Sequence, residues 1–435
     1  MAHKARRRAP GGDPGRRREG RRRNRPAARP VRTDLLRAAS PGRGELRSGG
    51  EHGEAGNRRG GGADRGRSTP EELEVISAVP PRSAALAACL SLACGHLSRT
   101  GLDRDWARSV GIARAPAPGG DEEAPTATPA TAVVDTIRLG ELTLANHRVA
   151  LYPLHGLSEA SGRLEVGLVG HDVLQHYAVE IDYRQRRVRL FDAARYHYRG
   201  AGTTVRFTAD ADLPLLRAQV KVRGRRAIPA RLLLDTGASG LCLILTTSFA
   251  EQHGLGTVAP AIQAPIGTGL VGELHGTIVR LQEVRLGGLT VPSPTTGLGG
   301  EYKGFLSRTD IDGVIGNSVF EGTRLIVDYV GRRAIVEPRP VDGSPCDFDM
   351  SGLRLAARGP GLAHIMVDYV VPHSPSAEAG IAVGDELLLI DGRGVAAGDL
   401  SDARKALRAD GEVRQLVLRR EADTIRVALK LRRLL

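Results

Sequence analysis

The spacing of apolar and polar positions divides the chain into regions of different character. Between about residues 83 and 342, short runs of Val, Ile and Leu are broken at close intervals by Gly, Pro or Asn. Few segments in this region keep a 3.6-residue period, so the pattern predicts short β-strands rather than helices. Residues 1–82 are Arg- and Gly-rich and poor in apolar residues, which predicts a disordered segment. The sequence therefore predicts a mainly β protein behind a disordered leader.

Two copies of one unit occur within the β-rich region. GLVGHDVLQHYAVEIDYRQRRVRL at residues 167–190 aligns without gaps with GVIGNSVFEGTRLIVDYVGRRAIV at residues 313–336. A second pair precedes them, IRLGELTL at residues 137–144 and VRLGGLTV at residues 284–291. We expect one short helix after each Gly-aliphatic-aliphatic-Gly element. The repeat predicts a first lobe over residues 83–200 and a second over residues 201–342.

An apolar run leads directly into a carboxylate in the second copy. ARLLL is followed by Asp235, Thr236, Gly237, Ala238 and Ser239. The glycine lets the backbone turn sharply beside the carboxylate, and the two hydroxyls and nearby amides are expected to orient it. PIGTGLVGELHG at residues 265–276 alternates Gly with apolar residues, which predicts a hairpin able to cover a cleft.

This ordered set resembles the retropepsin-like aspartic peptidases over residues 214–338. The shared features are a strand into Asp-Thr-Gly-Ala-Ser, a flap hairpin, and an aliphatic-aliphatic-Gly element. The resemblance implies that Asp235 is catalytic, with Thr236, Gly237 and Ser239 around it, and that Thr236 bonds across to the other lobe. It also implies a set of substrate-binding residues: Gly267, Thr268, Gly269 and Leu270 in the flap, and Ile315 and Gly316 beside the catalytic loop.

Aspartic-peptidase chemistry requires a second carboxylate that shares a proton with the first. Aligning LDRDWARSVGI at residues 102–112 with the second copy projects Asp235 onto Leu92, where the sequence reads LACGHL. Asp135 is followed by Thr136 and Ile137 and aligns with the start of a strand, so it is not expected to be the partner. Three explanations stay open: upstream codons in another reading frame, a homodimer in which each chain donates Asp235, or a first lobe that has lost its aspartate.

The C-terminal region, residues 343–435, has a different pattern. SPSAEAGI at residues 374–381, GDEL at residues 384–387 and IDG at residues 390–392 resemble a PDZ domain over residues 350–433. The resemblance implies an α+β fold that adds an extended peptide to a sheet edge. It places Gly352 and Leu353 in the loop that binds the peptide carboxylate. Arg354 departs from the small residue expected there, which puts a preference for C-terminal carboxylates in doubt.

The net charge of +13 is confined to the leader. Residues 1–70 hold 20 Arg or Lys and 7 Asp or Glu, so the rest of the chain is neutral, and no nucleic-acid partner is expected for the folded part. The leader is either a real basic tail or codons translated outside their natural frame. SAALAACLSLAC at residues 83–94 fits either the apolar centre of an export signal or a buried strand or helix.

Cys89, Cys94, Cys242 and Cys346 lack metal-ligand spacing, so no metal site is expected and their pairing cannot be deduced. Cys242 is expected to be a core side chain. No cofactor and no transmembrane span are expected. The sequence predicts an aspartic endopeptidase whose PDZ domain binds protein or peptide substrates, alone or as a homodimer, in the cell envelope, periplasm or medium, or otherwise in the cytoplasm. The alternative is an inactive pseudo-peptidase that works as a PDZ peptide-binding protein.

Overall fold

The computed structural model describes residues 72–75, 89–92, 97–112, 129–210, 213–270, 272–299, 305–337 and 346–435. All of them belong to one compact unit, residues 32–435. The fold is mainly β, as the sequence predicts, with two protease-like lobes followed by an α+β domain. Among the described residues, no helix is long and apolar enough to cross a membrane.

Over the described residues, the first lobe and the strand that precedes it comprise eight strands and three short helices. They are β1 (Glu72–Val75), β2 (Cys89–Leu92), β3 (Gly101–Asp103), α1 (Arg104–Ser109), β4 (Thr131–Leu139), β5 (Leu142–Tyr152), α2 (His155–Ser161), β6 (Glu165–Val169), α3 (His171–Leu174), β7 (Tyr177–Asp182) and β8 (Arg187–Asp192). Asp103 caps α1 by accepting hydrogen bonds from the N–H groups of Asp105 and Trp106.

The second lobe repeats this arrangement with more strands. They are β9 (Thr203–Asp210), β10 (Leu213–Lys221), β11 (Ile228–Asp235), β12 (Leu243–Leu245), α4 (Thr247–Gln252), β13 (Ala261–Gly269), β14 (Gly272–Arg280), β15 (Glu283–Leu286), β16 (Leu289–Pro292), β17 (Thr295–Gly299), β18 (Gly313–Gly316), β19 (Arg324–Asp328) and β20 (Arg333–Glu337), with 3₁₀ turns at Leu255–Thr257, Phe305–Ser307 and Asn317–Val319.

The C-terminal domain has its own sheet, in the order β21-β22-β23-β25-β26. Its elements are β21 (Leu353–Arg358), β22 (His364–Val370), α5 (Pro375–Glu378), β23 (Glu386–Ile390), β24 (Arg393–Gly394), α6 (Leu400–Ala406), β25 (Val413–Arg420) and β26 (Asp423–Lys430), with 3₁₀ turns at Pro360–Leu362 and Ala397–Asp399. A separate hydrophobic core fills this domain, and β21 is an edge strand of its sheet.

The internal repeat is confirmed strand by strand. In the second lobe, β18 lies between β11, which runs parallel to it, and the antiparallel β12. In the first lobe, β6 lies in the same way between β2 and β3. The paired motifs 137–144 and 284–291 both form hairpins, whose turns use positive φ at Gly140 and Gly287. A short helix follows each Gly-aliphatic-aliphatic-Gly element, as expected.

The two copies meet through equivalent strands. β7 pairs antiparallel with β19, and Glu180 lies opposite Ile326. The repeat that places residue 167 on residue 313 also places residue 180 on residue 326, so equivalent positions face each other. A local two-fold axis therefore passes between Glu180 and Ile326. One continuous hydrophobic core extends through both lobes.

Two expectations about the leading region are affected. Residues 1–82 were expected to be disordered, but Glu72–Val75 form β1, paired antiparallel with β8, because the outer edge of β8 offers free backbone hydrogen-bonding groups. The other residues of that segment lie outside the described residues. Within residues 83–94, Cys89–Leu92 form β2, paired parallel with β6, which agrees with the strand interpretation for that part.

Candidate active site

Asp235 is the last residue of β11, a strand held in the core by its leucines. Leu232 and Leu234 are fully buried, and burial of each such side chain contributes about 1.5–3 kcal/mol. The strand therefore fixes the start of the Asp-Thr-Gly loop. Asp235 is 4% exposed, and its Oδ1 accepts a hydrogen bond of 2.9 Å from the N–H of Gly237.

The other predicted residues of the motif lie on this same loop. Thr236 is buried, whereas Gly237 and Ser239 are exposed. Ser318, which sequence reasoning did not identify, also holds the loop, because its Oγ accepts a hydrogen bond of 3.2 Å from the N–H of Gly240. The sequence pattern that predicts a short helix after Gly316 could have identified Ser318, because it places this residue beside the loop.

Ile315 and Gly316 lie directly beside the loop, as expected. Gly316 is opposite Asp235 in the parallel ladder of β11 and β18, and Ile315 is fully buried. A Cβ on Gly316 would lie 2.8 Å from the carbonyl oxygen of Ala238. Glycine is required here because the two backbones approach too closely for any side chain.

The described residues that flank the corresponding segment of the first lobe locate the counterpart of Asp235 in two ways. The N–H of His171 donates to the carbonyl of Leu97 at 2.9 Å, just as that of Asn317 donates to Ala238 at 2.8 Å. Counting back three residues places the counterpart of Asp235 at Cys94. The registers of β2 with β6 and of β11 with β18 place it at Ala93.

The projection onto Leu92 is thus displaced by one or two residues, because the loop after it differs in length between the lobes. Residues 93–96 lie outside the described residues, and their sequence, ACGH, holds no carboxylate. Asp135, the other nearby Asp-Thr pair, is exposed in β4.

The predicted flap is a hairpin of β13 and β14 that spans both lobes. Gly267, Thr268 and Gly269 form the end of β13, and Leu270 begins the turn. Leu270 packs with a cluster from the first lobe: Leu97, Leu154 and Leu168. Leu274, opposite Gly267 in the hairpin, packs against the same small buried cluster of the second lobe as Ala238 of the Asp-Thr-Gly loop. The flap therefore bridges the lobes close to Asp235.

The loop assigned to peptide-carboxylate binding contains its own carboxylate. Asp349 Oδ1 accepts hydrogen bonds from the N–H groups of Ser351 at 2.9 Å, Gly352 at 2.6 Å and Leu353 at 3.2 Å. Burial raises the pKa of Asp349 to about 6, although these hydrogen bonds favour its charged form. The backbone N–H groups of Gly352 and Leu353 are therefore already bonded within the chain.

Comparison with known families agrees with this geometry. A family model described as aspartyl protease matches residues 218–319, and a model described as PDZ domain matches residues 366–420. The chain carries an aspartyl protease domain and a PDZ domain. No curated protein matches the chain.

Solved structures resemble parts of the chain. They include a photosystem II D1 C-terminal processing protease (23% identity over 19% of this chain and 22% of that one, TM-score 0.18), the HtrA3 PDZ domain bound to a phage-derived ligand (27%, 19% and 83%, TM-score 0.17) and an aspartic proteinase from Irpex lacteus (14%, 57% and 89%, TM-score 0.31). The domain assignment rests on the two family models.

A disulfide joins the protease domain to the segment that leads into the PDZ domain. Cys242 and Cys346 are bonded, with their Cα atoms 5.7 Å apart. Cys242 is fully buried, as expected of a core side chain, and its carbonyl accepts the N–H of Gly316 at 3.0 Å. The bond is therefore attached to backbone that contacts Gly316 of the candidate site. Over the described residues, no group of His, Cys, Asp or Glu is arranged to hold a metal ion.

Proposed function

We propose that this protein is an aspartic endopeptidase in which Asp235 supplies one of two catalytic carboxylates. The observation that carries the proposal is a buried carboxylate at a strand end, held by the N–H of Gly237 and lying near a flap that contacts both lobes. The PDZ domain of this enzyme binds protein or peptide substrates.

The chemistry follows from two carboxyl groups that share one proton. The ionised carboxylate removes a proton from a water molecule, which attacks the scissile carbonyl carbon. The protonated one donates a hydrogen bond to the carbonyl oxygen and stabilises the tetrahedral intermediate. The N–H of Gly237 restrains the orientation of the Asp235 carboxylate by its hydrogen bond to Oδ1.

The second carboxylate belongs, in this proposal, to the first lobe. The pairing of β7 with β19 supports this source over a homodimer. In a homodimer a second chain would provide the strand beside β19, whereas here the first lobe of the same chain provides it as β7. We therefore favour upstream codons read in another frame, and the nucleotide sequence through codon 110 tests this directly. An Asp-Thr-Gly sequence before LDRDWA in another frame would identify the partner.

Replacing Asp235 tests the enzymatic proposal. Protein that carries the first-lobe Asp-Thr-Gly should cut an unfolded protein substrate between pH 4 and 7, and Asp235→Asn should abolish cutting. Asp135→Asn is the matched control, because Asp135 is exposed on β4 and should not contribute. Equal loss of activity in both variants, or no cutting by wild-type protein with an intact first-lobe motif, would refute the proposal.

A second candidate function is a peptide-binding protein that no longer cuts. It is favoured by the sequence ACGH at the position where the first lobe should carry its aspartate. The triple substitution Cys94→Asp, Gly95→Thr and His96→Gly writes the missing motif at the position given by the hydrogen bond between His171 and Leu97. If this variant cuts and the chain as written does not, the fold is competent and the partner was missing; Asp235→Asn in the variant should then remove the cutting.

The disulfide also supports a location. Stable disulfides are typical of oxidising compartments, and Cys242–Cys346 is enclosed in the fold. We propose that the protein functions in the cell envelope or outside the cell.

A further inference from the structure

The PDZ domain contacts the flap at its base. The hydroxyl of Tyr369 donates a hydrogen bond of 3.0 Å to the carbonyl of Gln263 in β13. Val371 packs in an apolar cluster with Ile262, Ala264 and other side chains of the flap strands. The base of the hairpin is therefore attached to the PDZ domain through both apolar and polar contacts.

Arg354 of the PDZ domain holds the outer part of the same hairpin. Its Nη2 donates a hydrogen bond of 2.9 Å to Thr268 Oγ1, and its Nη1 lies 2.5 Å from Glu273 Oε1. These two partners stand directly opposite each other in the hairpin. Asp368 orients the guanidinium from within the PDZ domain, with Oδ2 3.4 Å from Nε. One side chain therefore bridges the PDZ edge strand β21 and both strands of the flap.

The rest of β21 faces the protease domain too. Helix α2 of the first lobe lies against β21. Arg358, the last residue of β21, forms an ion pair with Glu159 of that helix. The carbonyl of Leu355 accepts a hydrogen bond of 2.6 Å from Arg404 Nη2. The edge strand is thus engaged by the chain itself, and Arg354 lies in the part that touches the flap.

We propose that Arg354 is a positioning residue through which the PDZ domain holds the flap closed over the candidate active site before substrate binds. The proposal rests on the proposed peptidase function and adds to it an intramolecular restraint. Many PDZ domains have a small residue at the position of Arg354. The long arginine side chain is needed here because it reaches Thr268 and Glu273 of the flap.

The restraint has a defined kinetic consequence. The flap is packed on the first lobe through Leu270, so substrate must enter through a state in which the flap has opened. When the competent state is a small fraction of the population, the apparent dissociation constant is the intrinsic one divided by that fraction. Weakening the closed state therefore lowers KM by the same factor by which the population of the open state rises. The value of kcat is unchanged, because in the enzyme–substrate complex the flap is held by the substrate.

Hydrogen exchange of the flap amides in the substrate-free, full-length protein is the first measurement. Arg354→Ala should accelerate exchange over residues 261–280 about tenfold, the factor given by about 1.4 kcal/mol, and should lower KM for a peptide substrate by a similar factor with kcat retained. Glu273→Gln should give part of the effect. Arg419→Ala is the matched control, because Arg419 pairs with Glu386 inside the PDZ domain, away from the flap.

Two results would overturn the proposal: flap exchange in Arg354→Ala equal to that in Arg419→Ala, or a fall in kcat with KM unchanged. Rescue sharpens the test, because Arg354→Glu combined with Glu273→Arg should slow exchange again relative to either single reversal. The exchange measurement needs no catalysis. If the exchange pattern holds but wild-type protein cuts nothing, the flap restraint stands and the peptidase proposal fails.

Discussion

Removing the bond between Cys242 and Cys346 should destabilise the protein by several kcal/mol. The two residues are 104 positions apart, and closing a loop of about that length restricts the unfolded chain by about 4.7 kcal/mol. With a urea m-value of about 3 kcal/mol/M, the unfolding midpoint of the double variant Cys242→Ala, Cys346→Ala should fall by about 1.5 M. Urea titration followed by circular dichroism measures this shift.

The reductant provides the control for this prediction. Dithiothreitol should lower the midpoint of wild-type protein by a similar amount and leave the double variant unchanged. In denaturant, the oxidised wild-type protein should titrate two fewer thiols than the reduced protein. Equal thiol counts, or a double variant that unfolds at the wild-type midpoint, would show that this link does not stabilise the fold.

Two further predictions follow from individual contacts. Gly316→Ala places a Cβ 2.8 Å from the carbonyl of Ala238, so it should cost about 1–3 kcal/mol in unfolding free energy and reduce proteolysis. Gly256→Ala, with nothing within 4 Å of the added carbon, should change neither. The pKa of Asp349 is raised from 3.8 to about 6 on folding, so the folded state binds this proton more tightly and stability falls as pH rises between those values. The fall should be about 3 kcal/mol and should be complete about one pH unit above the folded pKa. Asp349→Asn should remove this contribution, and denaturant midpoints measured from pH 4 to 8 would reveal a persisting slope if the assignment is wrong.

Sequence patterns predicted the features that arise from local order. The repeat at residues 167–190 and 313–336 specified equivalent strands and short helices, because each copy carries the same alternation of strand and turn residues. The Asp-Thr-Gly loop and its neighbour Gly316 followed from the same reasoning. The flap was predicted from alternating Gly and apolar residues, and it is a hairpin.

Contacts between distant segments were beyond sequence reasoning. Nothing in the spacing of four cysteines selects Cys242 and Cys346, because pairing depends on how the domains pack. Arg354 was noticed as a departure from the PDZ pattern, but its partners Thr268 and Glu273 precede it by more than 80 residues. The sequence alignment placed the counterpart of Asp235 at Leu92, one or two residues too early. The alignment was anchored on residues 102–112, so it could not detect that the loop before them is shorter than its counterpart in the second lobe.

The pairing of β7 with β19 within one polypeptide also affects how the two lobes can evolve. In an enzyme built from two identical chains, every mutation appears on both sides of the bound peptide. Here Glu180 and Ile326 already differ at equivalent positions across the local axis, and a mutation alters one side alone. In the proposed peptidase each half is therefore free to acquire its own preference, so residues on either side of the cleaved bond can be recognised by different chemistry.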